Sequence, residues 1–423
     1  MVLLFMANTI SGIAQGISML AIPWYFTQLG QMDRFGLVYI VVNVIALFWV
    51  PYSGSIIDRY NRRNIFLVLT TIMGLILLVT AGLGYWLEGL PWVLVAAIFM
   101  LTFFNYNVHY PNLYTLVQEI TLPKNYGRIT SYLEIQGQMT TMLAGAFGAI
   151  LLEGTENGVF NVFGFEIETA LKIPPWEIYE IFLLDAATYF VSFILIFFIR
   201  YVPVAEREPE VGRLWQRLKL GFNYLKAHPA IFIFGVASYS IFVVILLEGF
   251  YLGAQYVNNH LNASGAIYAT SNMFYALGAI TAGIAIRWIF ERTTLPMAVI
   301  IMTFITGLVM LLLFLSHEVS IFYAMLLVLG LTNAGTRVIR TTYLFGHIPN
   351  QFFGRASSIF FLTNVVFRII FLAVFAIPFF HQSNHIIYAF LILSGFLFIS
   401  GGVLINYYRS FLQAEAKGEK RSR

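Results

Sequence analysis

The sequence predicts an all-α membrane protein: twelve transmembrane helices in two six-helix halves. Three observations predict it. Of 423 residues, 59% are hydrophobic and 10% are charged, whereas soluble domains carry roughly 25% charged residues. Apolar runs of about 20 residues, enough to cross a hydrocarbon core, recur along the chain. The cations sit on alternate connections between those runs. This composition excludes a soluble globular protein and a disordered chain. The absence of cysteine excludes a disulfide scaffold and thiolate metal sites.

In chain order the spans fall near 2–30, 35–57, 64–87, 91–117, 129–152, 178–202, 230–253, 265–289, 295–316, 319–346, 356–380 and 385–408. The runs are solid rather than alternating, so they read as helices and not as barrel strands. The first is too long for a signal peptide and is followed by further spans. Two connections exceed turn length, Glu153 to Glu177 and Pro203 to Pro229. The first is acid-rich and reads as a short solvated lid. The second lies mid-chain. It divides the sequence into an N-terminal half (1–202), a cytoplasmic linker (203–229), a C-terminal half (230–408) and a basic tail (409–423). Within the linker, Leu214, Leu218, Phe222 and Leu225 recur at helical spacing among Arg213, Arg217, Lys219 and Lys226. That pattern suits a helix on the inner leaflet or packed beneath the bundle.

Lys and Arg are retained on the cytoplasmic side of a membrane. With the N-terminus inside, 19 of the 24 cations fall on inner segments, and both termini are cytoplasmic. The basic loops then read as topology determinants and contacts to lipid headgroups. Nucleic acid is not expected as a partner. The halves also look duplicated. LPKNYGRITS (122–131) precedes the fifth span and IPNQFFGRASS (348–358) precedes the eleventh. Parallel repeats of this kind place a substrate site near the bilayer midplane.

Between the second and third spans lies GSIIDRYNRRN, Gly54 to Asn64. It resembles the loop motif of the major facilitator superfamily, G-x-x-x-D-R-x-G-R-R/K. The resemblance implies the major facilitator fold and a gating latch made by Gly54, Asp58, Arg59, Arg62 and Arg63. Asn61 stands where the family has Gly, and Asn tolerates the left-handed turn that position would require. Two further stretches, ISGIAQGISMLAIPWYF (10–26) and LLDAATYFVS (183–192), together with LPKNYGR, resemble the enterobactin-exporter-like and macrolide-efflux-like permeases. That branch implies export from the cytoplasm driven by proton antiport. Relatives often carry an acid where this chain has Gln15, which cannot titrate.

Charges inside hydrocarbon are costly and mark candidate sites. For substrate binding the candidates are Gln15, Asn105, His109, Gln138, Tyr239, Asn272, Tyr275, Arg337, Arg340, Asn364 and Arg368. Arg337 and Arg340 are three residues apart and should share a helix face. For proton coupling the candidates are Glu134, Asp185 and Glu248. There is no phosphate-binding G-x-x-x-x-G-K-[ST] loop and no H-E-x-x-H motif, so no enzymatic activity, cofactor or metal is expected.

The functional expectation is therefore a monomeric secondary transporter of the bacterial cytoplasmic membrane, working by alternating access. It would export an amphipathic, drug-like or siderophore-like solute in exchange for protons. An uncoupled facilitator or importer of the same fold, and a lipid or lysolipid flippase, are the alternatives.

Overall fold

A computed structural model describes residues 2–121, 125–155, 159–162, 165–168, 172–201, 214–382 and 384–413. The side chains at 55, 58, 126–128, 130, 159–162, 165–168, 214–217, 286–291, 350 and 351 lie outside that description.

The chain opens with α1 (Val2–Gln28), α2 (Met32–Arg59), α3 (Arg62–Leu87), α4 (Trp92–Glu119) and α5 (Tyr126–Glu153). A short antiparallel hairpin follows, β1 (Val159–Val162) and β2 (Phe165–Glu168), with Val162 opposite Phe165. The described chain is thus helical with one exception, which lies in the acid-rich connection read as a lid. The base of that connection is pinned. Thr155 N donates to Ile173 O at 2.6 Å, and Trp176 N donates to Leu151 O at 2.7 Å. Gly154 permits the closure: its φ of +75° and ψ of −175° fall in a region essentially reserved for glycine, and an added Cβ would meet Ile173 O at 2.6 Å. The next helix, α6 (Ile178–Phe197), begins with a capping box in which Glu177 N donates to Glu180 Oε2 at 2.8 Å.

α7 (Leu214–Ala227) is the amphipathic piece of the linker. It packs on α14 (Asn350–Phe375), with Leu225 fully buried and Gly221 against the Arg355 backbone. Leu220 and Phe222 stay exposed. Val211, Arg213 and residues 414–423 of the basic tail lie outside the described residues, as does the side chain of Arg217.

The seventh span departs most from expectation. It runs from Pro229 to His260 rather than ending near 253, and it is broken. α8 (Pro229–Ser238) gives way at Tyr239 to α9 (Ser240–Leu247). A π turn (Glu248–Leu252), the short α10 (Gly253–Gln255) and a second π turn (Tyr256–His260) follow. The wide turns are visible in their hydrogen bonds: Gly253 N reaches Glu248 O, and Leu261 N reaches Tyr256 O at 3.0 Å. Such turns often occur at functional positions in helices.

α11 (Gly265–Arg292), α12 (Leu295–Leu315), α13 (Val319–His347), α14 and α15 (Ile387–Asn406) complete the chain. Among the described residues, eleven helices are long and apolar enough to cross a membrane: α1 to α6, the run Pro229–His260, and α12 to α15. α11 is not among them, although it spans 28 residues. Large apolar side chains stand open on these helices, Phe48 and Trp86 at 73% and 79% exposure. A surface so apolar is suited to lipid and not to water.

The chain forms two compact units. Unit 1 comprises Met1–Glu210 with Asn262–Met273, and unit 2 comprises Val211–Leu261 with Phe274–Arg423. In unit 1, α1 packs on α5 and α6, and α6 packs on α3. Gly12 and Gly16 let α1 approach α5, where an added Cβ would come within 2.9 Å of Thr140 and 2.6 Å of Ala144. Small residues four apart serve this purpose in membrane helices. In unit 2, α12 packs between α13 and α15, and α14 lies against α9.

Candidate functional site

Unit 1 holds a polar seam between α1 and α6. On α6, Asp185, Tyr189 and Ser192 lie four and three residues apart, so they share one face. On α1, Ser18, Gln15 and Ser11 do the same. The helices zip together through these faces. Ser18 Oγ donates to Asp185 Oδ2 at 2.8 Å, Gln15 Nε2 donates to the Tyr189 hydroxyl at 2.9 Å, and Ser192 Oγ donates to Ala7 O at 2.9 Å. α4 joins at the centre, where Asn105 Nδ2 donates to the same Tyr189 hydroxyl at 3.1 Å. Gln15, Asn105 and Asp185 are all buried, Asp185 at 1% exposure. Two acceptors in this seam, Asp185 Oδ1 and Asn105 Oδ1, are buried and unpartnered. Burial without a partner costs roughly 1–3 kcal/mol for a neutral group and more for a charge. Tyr189 and Ser18, absent from the sequence-based candidates, are the hubs. Tyr189 stands one helical turn from Asp185, which is the pattern that could have pointed to it.

The other candidates of unit 1 lie in different settings. His109 Nε2 pairs with Asn8 Oδ1 at 2.8 Å and its ring meets Phe66 edge-on, an ordinary tie between α4 and α1. Glu134 is half-buried and accepts from the Tyr114 hydroxyl at 3.0 Å. Gln138 is half-buried on α5. Asn272 donates to Tyr268 O on its own helix at 3.4 Å.

The side chain of Asp58 lies outside the described residues; the rest of the gating loop is visible. Asn61 is not left-handed. At φ −59° and ψ 123° it is the N-cap of α3, its side chain accepting from Asn64 N at 3.2 Å. Asn suits this position because its side-chain oxygen replaces a missing helical acceptor. Asn61→Ala should lower stability by about 1 kcal/mol, and Asn61→Gly by only a few tenths. Thermal unfolding of the detergent-solubilised protein checks both. Gly54 meets nothing within 4 Å of an added Cβ, so tight packing does not account for it there. Arg59 is exposed. Arg62 donates to the carbonyls of Ile57 and Tyr60, the latter at 2.7 Å, and pairs with Glu119 at 3.6 Å. Arg63 donates to Ile196 O at 3.3 Å and to Phe197 O. These contacts tie the start of α3 to the ends of α4 and α6. Tyr201, just beyond α6, donates to Glu119; burial and that carboxylate hold its phenol well above the ordinary range, so it stays a donor.

Unit 2 carries a second set. Asn333 Nδ2 on α13 donates to the Tyr275 hydroxyl of α11 at 2.6 Å. Arg337 and Glu248 both lie close enough to that hydroxyl to act on it electrostatically. Glu248 is buried at the start of the first π turn. Arg337 and Arg340 do not share an environment as expected. Arg337 is exposed. Arg340 is drawn inward, its Nη1 donating to Ser238 O at 3.2 Å and its guanidinium standing 3.6 Å over the Tyr239 ring. Tyr239 in turn stacks on Phe360 of α14, and Phe360, Asn364 and Arg368 follow one another at four-residue spacing. Arg368 is buried at 2% exposure. Asn364 is buried with neither its oxygen nor its nitrogen partnered, and Gln255, beside the π turns, is the same. Gln255 and Asn333 were not among the sequence-based candidates. No group of three or more metal-binding acids or histidines occurs among the described residues.

The sequence profile of the Major Facilitator Superfamily matches residues 4–371. No curated protein matches the sequence significantly. Solved structures of similar fold include a bacterial homologue of the iron transporter ferroportin in an inward-facing state, at TM-score 0.71 and 14% identity, covering 96% of this chain and 98% of that one. They also include the nucleoside transporter NupG, at 0.70 and 11%, covering 96% and 98%. A D-xylose-proton symporter matches at 0.68 and 11%, covering 95% and 96%. At these identities the likeness is one of fold.

Proposed function

The chain belongs to the major facilitator superfamily, and from that premise we propose that it exports an amphipathic organic solute in exchange for protons. Two observations support this reading, each within its own unit: a buried, incompletely partnered carboxyl in unit 1, Asp185, and two buried arginines in unit 2, Arg340 and Arg368. A buried carboxyl is a means of taking up and releasing a cation, and buried guanidinium groups favour a solute bearing carboxylate or catecholate oxygens. Glu134 and Glu248 are the secondary proton candidates.

On this reading α11 supplies the twelfth crossing, both termini face the cytoplasm, and the membrane is the bacterial inner membrane. The resemblance of the first and sixth spans to the enterobactin-exporter-like and macrolide-efflux-like permeases supports export. The Gly54–Arg63 loop acts as the gating latch. A second reading, an uncoupled facilitator, is favoured by one observation: Gln15 is engaged with Tyr189 and has no proton to exchange.

Flux in proteoliposomes separates the two. Candidate anionic and neutral solutes are loaded, and a pH gradient of either sign is imposed. Antiport predicts that export accelerates with a gradient driving protons inward and slows when it is reversed, with Arg368→Ala lowering flux of anionic solutes at least tenfold. Flux that ignores both gradients means facilitation.

A further inference from the structure

We propose that His260, set between the Ser316 carbonyl and the Asn384 side chain, is a proton-operated pin that fastens the end of the seventh span to the end of α12 and to the connection before α15. The pin is independent of what the protein carries. The export reading enters only in assigning this end of unit 2 to the outside.

His260 is 3% exposed and closes the second π turn. Its Nε2 faces Ser316 O at 2.7 Å, and its Nδ1 faces Asn384 Oδ1 at 2.8 Å. Ser316 caps the end of α12, and its carbonyl also accepts from the Tyr256 hydroxyl at 3.0 Å. The His317 ring covers His260, the two centroids standing 4.1 Å apart. His317 is exposed, so the buried imidazole is one ring away from solvent. Other titratable neighbours are few. The seventh span offers Tyr256 and, three turns back, Glu248. α12 carries no Asp, Glu, Lys or Arg, and α13 begins after Glu318, which is exposed. α15 has no charged residue and one phenol, Tyr388. The connection before it contributes His381, 3.4 Å from the Tyr251 hydroxyl, and His385, stacked on Phe379 at 4.5 Å. On α14, Arg368 lies two turns before the helix ends at Phe375.

A carbonyl oxygen only accepts, so Nε2 carries a hydrogen in every state of the pin. The state of Nδ1 then decides. Facing the Asn384 oxygen, Nδ1 carries a second hydrogen, and the ring is an imidazolium making two charge-assisted bonds, which are the strong kind. Without that hydrogen Nδ1 is an acceptor, and Asn384 must turn its amide nitrogen inward or lose the bond. Both bonds are then neutral and weaker. The protonated ring therefore fastens three segments, and loss of one proton loosens them together. A second proton, on His317, would set like charges 4.1 Å apart, so the pair holds one. Histidine is the side chain that ordinarily changes charge between about pH 5 and 8. The pin is made in acid and released as pH rises. What it holds is the end of the π-turned segment, Glu248 to His260, so the proton controls how firmly the widened helix is fixed.

Purified full-length protein tests this without any solute. Backbone hydrogen exchange of residues 253–261, corrected for the intrinsic pH dependence of exchange, is followed between about pH 5 and 8. Protection of this segment should fall about tenfold as pH rises, the loss expected when charge-assisted bonds become neutral ones. His260→Gln can still donate to Ser316 but cannot titrate, and it should remove that pH dependence. Asn384→Asp supplies an acceptor with no donor to turn inward, and it should move the midpoint up by about one pH unit, a tenfold change in proton affinity. His317→Ala should leave the pH dependence in place. If His260→Gln does not fold, Asn384→Asp decides. The proposal is overturned if protection ignores pH, if His260→Gln keeps the wild-type profile, if Asn384→Asp leaves the midpoint where it was, or if His317→Ala alone abolishes the response. None of these readouts involves flux, so failure of the export reading would leave them standing.

Discussion

Gly278→Ala and Gly330→Ala should each leave little folded protein, whereas Gly283→Ala should be close to wild type. The reason is the crossing of α11 and α13 within unit 2. A Cβ on Gly278 would lie 1.8 Å from Leu327 O, and one on Gly330 would lie 1.9 Å from Tyr275 O. The obstructing atoms are backbone carbonyls in both cases, so no rotamer change relieves the clash and the helices themselves must part. Overpacking a well-filled core costs about 1–3 kcal/mol when side chains can yield; here the cost should exceed that range. Gly283, on the same helix, has nothing within 4 Å of an added Cβ, and alanine is the better helix former there by about 1 kcal/mol. Monodisperse protein recovered after detergent extraction and heating measures all three. The effect extends to the polar groups, because the same crossing sets the 2.6 Å bond between Asn333 and Tyr275. A partial expansion at Gly330 should lengthen that bond before the unit unfolds.

These glycines mark a boundary between what one stretch of chain contains and what only the fold supplies. The spans are legible in the sequence because crossing a membrane is a problem of length and apolarity, which a single stretch carries. The buried charges are legible because Asp185 and Arg368 stand out in apolar runs. Partners are not. Ser18 and Asp185 are 167 residues apart, and no local period says which serine among many faces the carboxyl. Arg337 and Arg340 look alike by spacing, yet only Arg340 finds Ser238 and Tyr239, three residues' rotation being enough to separate an exposed position from a buried one. Asn61 is ambiguous for a similar reason. A left-handed turn and an N-cap both favour Asn, and the choice between them depends on where α3 starts. The π turns from Glu248 onward leave no mark in composition, because a widened turn keeps the same apolar residues and changes only which carbonyl each amide reaches.

Arg340 is the charge whose removal should be most informative in unit 2. Its guanidinium bonds the Ser238 carbonyl and covers the Tyr239 ring at the point where α8 ends and α9 begins. A helix break inside hydrocarbon leaves carbonyls that must be satisfied by some neighbouring group, and Arg340 serves one of them. A hydrogen bond to a charged group contributes about 1.5–3 kcal/mol, and a desolvated cation–π contact about 2 kcal/mol. Arg340→Ala should therefore destabilise unit 2 by roughly 3 kcal/mol or more, since the two terms are lost together. Arg340→Lys should recover only part of this, because an ammonium can bond the carbonyl but cannot lay a planar face on the ring. Tyr239→Phe keeps the ring and should cost little; Tyr239→Leu removes it. In a double-mutant cycle on thermal stability, Tyr239→Leu and Arg340→Lys should then be non-additive, each removing the same contact. If instead Arg340→Lys is as stable as wild type but loses flux of anionic solutes, the guanidinium serves the solute and not the helix break. The two roles are thus separable by one substitution read in two ways.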